Sequence, residues 1–435
     1  MTARNHLAVA VAILTLVGST VNGEVRYTMI DLGSYPEHGE FGDIAINNAG
    51  QVVGTSSNAD GKVRATLFDT SGAGNHIDLG TLGGERSMAW DINNAGQIVG
   101  AAETGAGDMH ATLFDPTGGG NNLDLGTLGE TSHARGINDL GQIVGSSKVE
   151  MIDAEWAQSE RATLFDPTGG GDNIDLGTLD GYTDSTAMAI NNLGQIVGYA
   201  YRAESGERAV LFDGTGGGNN VDLGVLSGGG TTSSRASDIN DAGQIVGWSW
   251  GAFAGRGTLF DPTGAGNNID LGAFADSSAT MALGINENGQ VVGYGDRWSD
   301  DLVGGTALPM LLDATGANDP ICLSDYTDLV LGEAFDINDS GWIVGVRATI
   351  VGMSLISDSY LLIPVDGDTQ GGGGDDDTGG SDGNDDGVGD GADASGGGAR
   401  PNGSGRLCGG VGVVSMASMI VGLGLVRISM RRKQE

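Results

Sequence analysis

Apolar residues fall in short runs separated by Asn, Asp, Gly and Pro, and no window of the repeated region carries a helical period. The runs recur as a unit. The string INNAGQVVG at Ile46–Gly54 returns, with small changes, starting at Ile92, Ile137, Ile190, Ile239, Ile285 and Ile337. The spacings are 46, 45, 53, 49, 46 and 52 residues, a period that belongs to solenoids, propellers and arrays. Each unit holds four runs. The first ends in Ile-Asn, as in Met88–Asn93, and an Asn-x-x-Gly turn leads to Gln-Ile-Val-Gly, which predicts a hairpin with a type I turn closed by a glycine bulge. The third run is ATLFD at Ala65, Ala111 and Ala162, varied at Ala209, Gly257, Met310 and Tyr360. The fourth is the Asp-Leu-Gly run, as in Ile77–Leu82, reached through loops of the DPTGGGNN type.

Four strands in ~48 residues is the size of one propeller blade. A β-helix has much shorter coils, and separate small domains need larger cores. The predicted fold is therefore all-β, a seven-bladed β-propeller over residues 24–365. Strand order gives an independent check. A lone Asp-Leu-Gly strand, Met29–Tyr35, precedes the first Ile-Asn run, and a lone third strand, Ser359–Pro364, ends the series. Pairing the two completes the seventh blade from both termini and removes a sheet edge.

Alternation assigns the connections to two faces. The Asn-x-x-Gly turns and DPTGGGNN loops share one face and are nearly uniform. The connections at Ser146–Arg161, Trp248–Arg256 and Gly293–Ala307 lie on the other face and vary, as binding loops on a rigid scaffold do. That face carries Trp156, Tyr199, Tyr201, Trp248, Trp250 and Trp298. INxxGQIVG, followed by an apolar strand and then DLGTLGG (Asp78–Gly84), resembles the HAF-repeat family of bacterial extracellular repeat proteins over residues 27–364. The family's His-Ala-Phe is represented by His110-Ala111-Thr112. The resemblance implies export and, often, a C-terminal sorting tail. It brings no established activity or catalytic residues.

The two ends fit that expectation. Residues 1–23 read as a signal peptide: Arg4 and His6, the apolar run Leu7–Val17, then the small-residue site Val21-Asn22-Gly23. Residues 366–407 form a Gly/Asp-rich spacer that buries too little apolar surface to order its backbone. Residues 408–435 read as a membrane anchor or sorting tail, with Cys408, the uncharged Gly409–Val426, and Arg427, Arg431, Arg432 and Lys433 behind it. The expected location is the cell surface, with the membrane contacted through this tail. Glycine makes up 81 of 435 residues and the net charge is −37, so the surface repels phosphate backbones and nucleic acid is excluded as a partner. Cys322 and Cys408, far apart in dissimilar settings, exclude a disulfide scaffold and a multi-Cys metal site.

Candidate chemistry is sparse. His6, His38, His76, His110 and His133 form no metal-holding spacing and read as surface or turn residues. Gly379–Gly383 matches GxSxG without a strand-turn-helix context. Asp382, Asn384, Asp386, Gly387 and Asp393 follow an EF-hand spacing, and Asp115 or Asp166 offers a further oxygen ligand, but a solvated acidic tether and ordinary turn chemistry are the preferred readings. No catalytic, cofactor-binding or metal residue is assigned, and no cofactor is expected. The reading is a non-catalytic binding module whose variable face takes an unknown surface ligand, glycan or protein. The competing reading is a propeller-based polysaccharide lyase or glycosidase, or a purely structural surface component. Carboxylates that break the repeat would mark the enzyme, and Asp296, Asp300 and Asp301 are the nearest such group.

Overall fold

The computed structural model describes residues 26–365 except 35–43, 59, 151–157, 204, 227–231, 252–253, 275–276, 298–305, 318, 326, 328–330 and 352–353. The signal-peptide, spacer and tail segments, with Trp156 and Trp298, lie outside the described residues. The ring is all-β apart from one 3-10 turn at Leu323–Asp325, and it consists of seven four-stranded antiparallel sheets. In the first blade the strands are Ile44–Ile46, Val52–Ser57, Val63–Phe68 and Ile77–Asp78, in that spatial order. First strands of neighbouring blades touch all the way round, from the second blade through the seventh and back to the first. The first strand is therefore the innermost of each blade.

Closure follows the predicted route. Arg26–Ser34 pairs with Ser354–Val365, which pairs with Ile343–Val351, and that strand pairs with Gly332–Ile337. In this seventh blade Met29 stands opposite Leu362 and Ile30 opposite Leu361. Seven-fold repetition of the chain thus becomes a ring without a free seam.

The core lies between blades. Ala65 and Leu79 of the first blade pack with Ala89, Ile92, Ile98 and Phe114 of the second. Leu32, Val344 and Leu361 of the seventh pack with Ile44, Val52 and Phe68 of the first. The Leu of each Asp-Leu-Gly run drops into such a slot: Leu79, Leu125, Leu176 and Leu223 are wholly buried. Burying one leucine stabilises by about 1.5–3 kcal/mol, so each recurrent apolar position joins a blade to its neighbour.

The fourth run is shorter than expected. The outer strand of the first blade is only Ile77–Asp78, because Asp78 Oδ1 accepts the Gly80 N–H at 2.9 Å and turns the chain away. Five other blades behave alike or nearly so, and a short outer strand leaves little edge for a second chain to pair with. Cys322 lies buried on the outer strand of the sixth blade. The chain's other cysteine, Cys408, lies outside the described residues. Among the described residues no helix is long and apolar enough to cross a membrane.

Candidate functional site

The uniform end of the ring is occupied by architecture. Each Ile-Asn asparagine closes its own turn: Asn191 Oδ1 accepts the Leu193 and Gln195 N–H groups at 3.1 and 2.9 Å. Its amide then reaches the next blade, where Asn191 Nδ2 donates to the Asn240 carbonyl at 3.0 Å. The same bond runs from Asn47 to Asn93, Asn138, Asn191, Asn240, Asn286, Asn338 and back to Asn47, at 2.9–3.1 Å. One position on, a second belt links Asn48, Asn94, Asp139, Asn192, Asp241, Glu287 and Asp339. There the backbone N–H of each donates to the side chain of the next. Two closed belts leave this end committed to holding the ring. The DPTGGGNN loops serve the same purpose, since Asn122 Nδ2 donates to the Leu79 carbonyl of the preceding blade at 2.8 Å.

Behind the belts, two residues before each Asn, three blades carry Asp91, Asp238 and Asp336. Each carboxylate spans two blades: Asp91 Oδ1 accepts its own neighbour Ile92 N–H at 2.7 Å, and Oδ2 the Ile137 N–H of the next blade at 2.8 Å. Asp238 bridges to Ile285 and Asp336 to Ile46 in the same way, at 2.8 Å. Enclosure in the ring pushes Asp91 up to about 7 against the pull of the Ile137 N–H, with the Asp336 charge adding to the rise. Asp238 is raised well above the carboxylate range by enclosure and then by the Asp336 charge. Asp336 is raised by enclosure.

The opposite, variable end differs from blade to blade. Five residues before the Asn, equivalent positions hold Met88, His133, Thr186, Arg235, Met281 and Glu333. Their strand partners are Ala101, Ser146, Tyr199, Trp248, Tyr294 and Val346. Arg235 is the hub. Its guanidinium lies 4.0 Å from the Tyr199 ring centre and 5.7 Å from that of Trp248. It also pairs with Glu207 through two bonds of 2.5 and 3.1 Å, a fork that fixes its orientation. Farther out, Tyr201 and Trp250 are exposed, and the Trp248 and Trp250 rings meet edge to face at 6.4 Å. In the second and third blades, Trp90 receives His133 edge-on at 5.5 Å and Arg135 over its face at 4.6 Å.

Beyond Arg235 lies a carboxylate that breaks the repeat. Glu333, on the innermost strand of the seventh blade, is pushed up to about 7 by burial, with the Asp296 charge adding to the rise. Asp296, on the second strand of the sixth blade, is raised by burial. Tyr294 shares this corner; burial raises its phenol, and the Glu333 and Asp296 charges raise it further. Its hydroxyl sits 2.9 Å from the Met281 sulfur.

Four of the six aromatic residues singled out from sequence are described, and all four belong to the mouth. Of the carboxylates, Asp296 is there, while Asp300 and Asp301 lie outside the described residues. Arg235, Tyr294 and Glu333 were missed, although a signal was present: they stand at repeat positions whose residue type varies from blade to blade. Asp115 and Asp166 lie elsewhere, with Asp115 Oδ1 taken by the Thr117 N–H and hydroxyl and Oδ2 by Asn121. His110 pairs with Asp124 at 2.9 Å, and His76 Nδ1 accepts the Asp69 N–H at 3.0 Å. No group of three or more His, Cys, Asp or Glu among the described residues has metal-holding geometry.

Seven blades in a closed ring, with one sealed end and one varied mouth, define a β-propeller. A family model described as a protein of unknown function (DUF3466) matches residues 120–252. No curated protein matches the chain. Among solved structures, the chain is similar to the β-propeller domain of the Trilobed protease from Pyrococcus furiosus. That likeness has 13% identity and a TM-score of 0.42 and covers 66% of this chain and 81% of that one. It is also similar to the Pyrococcus horikoshii acylaminoacyl peptidase, at 13% identity and a TM-score of 0.42 over 77% of this chain. The match covers 51% of the peptidase, so the chain spans about half of that protein.

Proposed function

We propose that this chain is an exported, non-catalytic binding module that recognises a ligand at the cell surface through the variable mouth of its ring. The observation that carries the reading is the asymmetry of the two ends. Equivalent positions are nearly identical at the Asn belts, whereas at the mouth they differ and gather Arg235, Tyr199, Trp248 and Tyr294 on consecutive blades. Exposed Trp250 and Tyr201 beside them offer flat apolar surface with polar tips, the composition of a recognition surface. Export is supported by the sequence order of leader, ring, spacer and basic tail. The membrane contact belongs to residues 408–435, whether retained as an anchor or processed.

The test is a glycan and protein array probed with the full chain and with Trp250→Ala and Tyr201→Ala. Binding that falls in both variants supports the mouth. Binding that survives them but is lost in Leu140→Ala and Leu193→Ala, exposed at the belt end, overturns it. Release of a cleaved polysaccharide product would overturn the non-catalytic role. Protease treatment of whole cells tests the location, and a ring protected in intact cells would refute the surface assignment.

A further inference from the structure

The second strands of the fourth and fifth blades, Ile196–Arg202 and Ile245–Trp250, end at the mouth on aromatic pairs in equivalent positions. Tyr199 and Tyr201 form one pair, Trp248 and Trp250 the other, and no other blade has two rings there. The outer member of each pair is the exposed one, Tyr201 at 41% and Trp250 at 37%. Both are pinned through their backbones: the Thr183 N–H donates to the Tyr201 carbonyl at 3.1 Å, and the Thr232 N–H to the Trp250 carbonyl at 2.9 Å. The Trp250 indole has a seat of its own. It stands opposite Gly255 on the third strand, where a Cβ would come within 2.5–2.6 Å of two ring carbons, so only glycine leaves room for it. One side of the ring rests against that backbone, and the Trp248 ring meets it edge to face at 6.4 Å. The exposed remainder of the indole is thus held in a fixed orientation.

The atoms around these rings select the kind of ligand. The Tyr199 and Tyr201 hydroxyls, the Trp248 and Trp250 indole N–H groups and Arg235 Nη1 make no hydrogen bond among the described residues. Each is open to a ligand oxygen, and a sugar hydroxyl both donates and accepts. Arg235 is neutralised by Glu207, so the patch calls for no charge on its ligand. A net charge of −37 repels acidic polymers. A sugar ring carries apolar C–H groups on its faces and hydroxyls at its rim, which matches an aromatic platform edged with donors. Neighbouring blades pack face to face, which sets equivalent side chains roughly 10 Å apart. A ligand that repeats itself then meets the same platform twice. We propose that Trp250 and Tyr201 are stacking platforms for an uncharged oligosaccharide of repeating pyranose units. This rests on the reading of the variable mouth as the binding face, and it names the class of the ligand.

The test titrates the full chain with cellohexaose, mannohexaose and N-acetylchitohexaose, followed by tryptophan fluorescence and calorimetry. At least one should bind, and a galacturonate oligomer of the same length should not. Trp250→Ala and Tyr201→Ala should each weaken binding roughly tenfold, the loss of one stacked ring. Trp250→Phe should keep most of the affinity. Gly255→Val should weaken binding as Trp250→Ala does, because the new side chain displaces the indole without removing it. Affinity should hold constant from about 0.05 to 0.5 M salt, since an uncharged ligand leaves nothing to screen. Thermal melts of each variant confirm a folded ring. If none of the three neutral oligosaccharides binds, or if Trp250→Ala and Tyr201→Ala bind as tightly as the native chain, the proposal falls. A protein or an acidic glycan captured by the native chain and lost with Trp250→Ala would overturn the uncharged-sugar assignment and leave the mouth reading standing. An oligosaccharide lost with Leu140→Ala and Leu193→Ala, but not with the mouth variants, would overturn both.

Discussion

Each unit places two glycines in its central hairpin, and they answer different constraints. Gly194 closes the Asn-x-x-Gly turn at φ +76°, and a methyl group there would meet only Gln142 Oε1, at 3.6 Å. Gly198, four residues on, has ordinary dihedrals, but a Cβ would stand 2.0 Å from the Thr186 carbonyl oxygen on the innermost strand. The same contact recurs at Gly100, Gly145, Gly247 and Gly293 at 1.9–2.0 Å. The innermost strand carries a register shift beside this contact, between Ala187 and Ala189 in this blade. Gly194→Ala should therefore cost about 1–2 kcal/mol for left-handed strain alone. Gly198→Ala should cost more, about 3 kcal/mol, because backbone rather than a flexible side chain must move. Chemical denaturation of the two variants decides it, and equal midpoints would refute the steric account.

At the scale of elements, the decisive feature is the strand that arrives from the other end of the chain. Arg26–Ser34 covers the outer edge of Ser354–Val365 over most of its length. It also sends Leu32 into the slot shared by the seventh and first blades. Removing it exposes a long apolar edge and empties that slot. Deletion of residues 24–33 should lower the melting temperature of the whole ring rather than fray one blade, since the Asn belts couple each blade to the next. Hydrogen exchange should then show loss of protection along Ser354–Val365. An unchanged melting temperature would mean that closure does not rely on this strand.

The whole molecule carries two opposed sets of carboxylates. Asp69, Asp115, Asp213 and Asp261 are held down to about 2, foremost by the Ser or Thr side chain two residues on. They favour the folded state above their ordinary value and lose that advantage as pH falls toward 2. Asp91 and Glu333 are pushed up to about 7, and Asp238 and Asp336 are raised too, so the folded ring binds more protons than the unfolded chain between about 4 and 7. Stability must then fall as pH rises through that window. The melting temperature should be higher at pH 5 than at pH 8. Salt at about 0.5 M should relieve surface repulsion at pH 8 without abolishing the difference, because enclosed groups are poorly screened. A flat profile from pH 5 to pH 8 would show that these groups are not enclosed as described.

The linear chain carried the blade count, the strand order and the closing pair, because those depend on period and on turn chemistry that act over a few residues. It also separated the uniform end from the variable one. It did not show that the turn asparagines form a closed belt, since the acceptor of Asn338 is the carbonyl of Asn47, 291 residues away and adjacent only once the ring shuts. Nor did it bring Arg235, Tyr294, Asp296 and Glu333 together. They sit on three strands of three consecutive blades, Tyr294 and Asp296 sharing one, and the burial that raises Glu333 to about 7 is a property of the assembled ring. Local periodicity determined the architecture; proximity and enclosure, which exist only in the folded ring, decided the site.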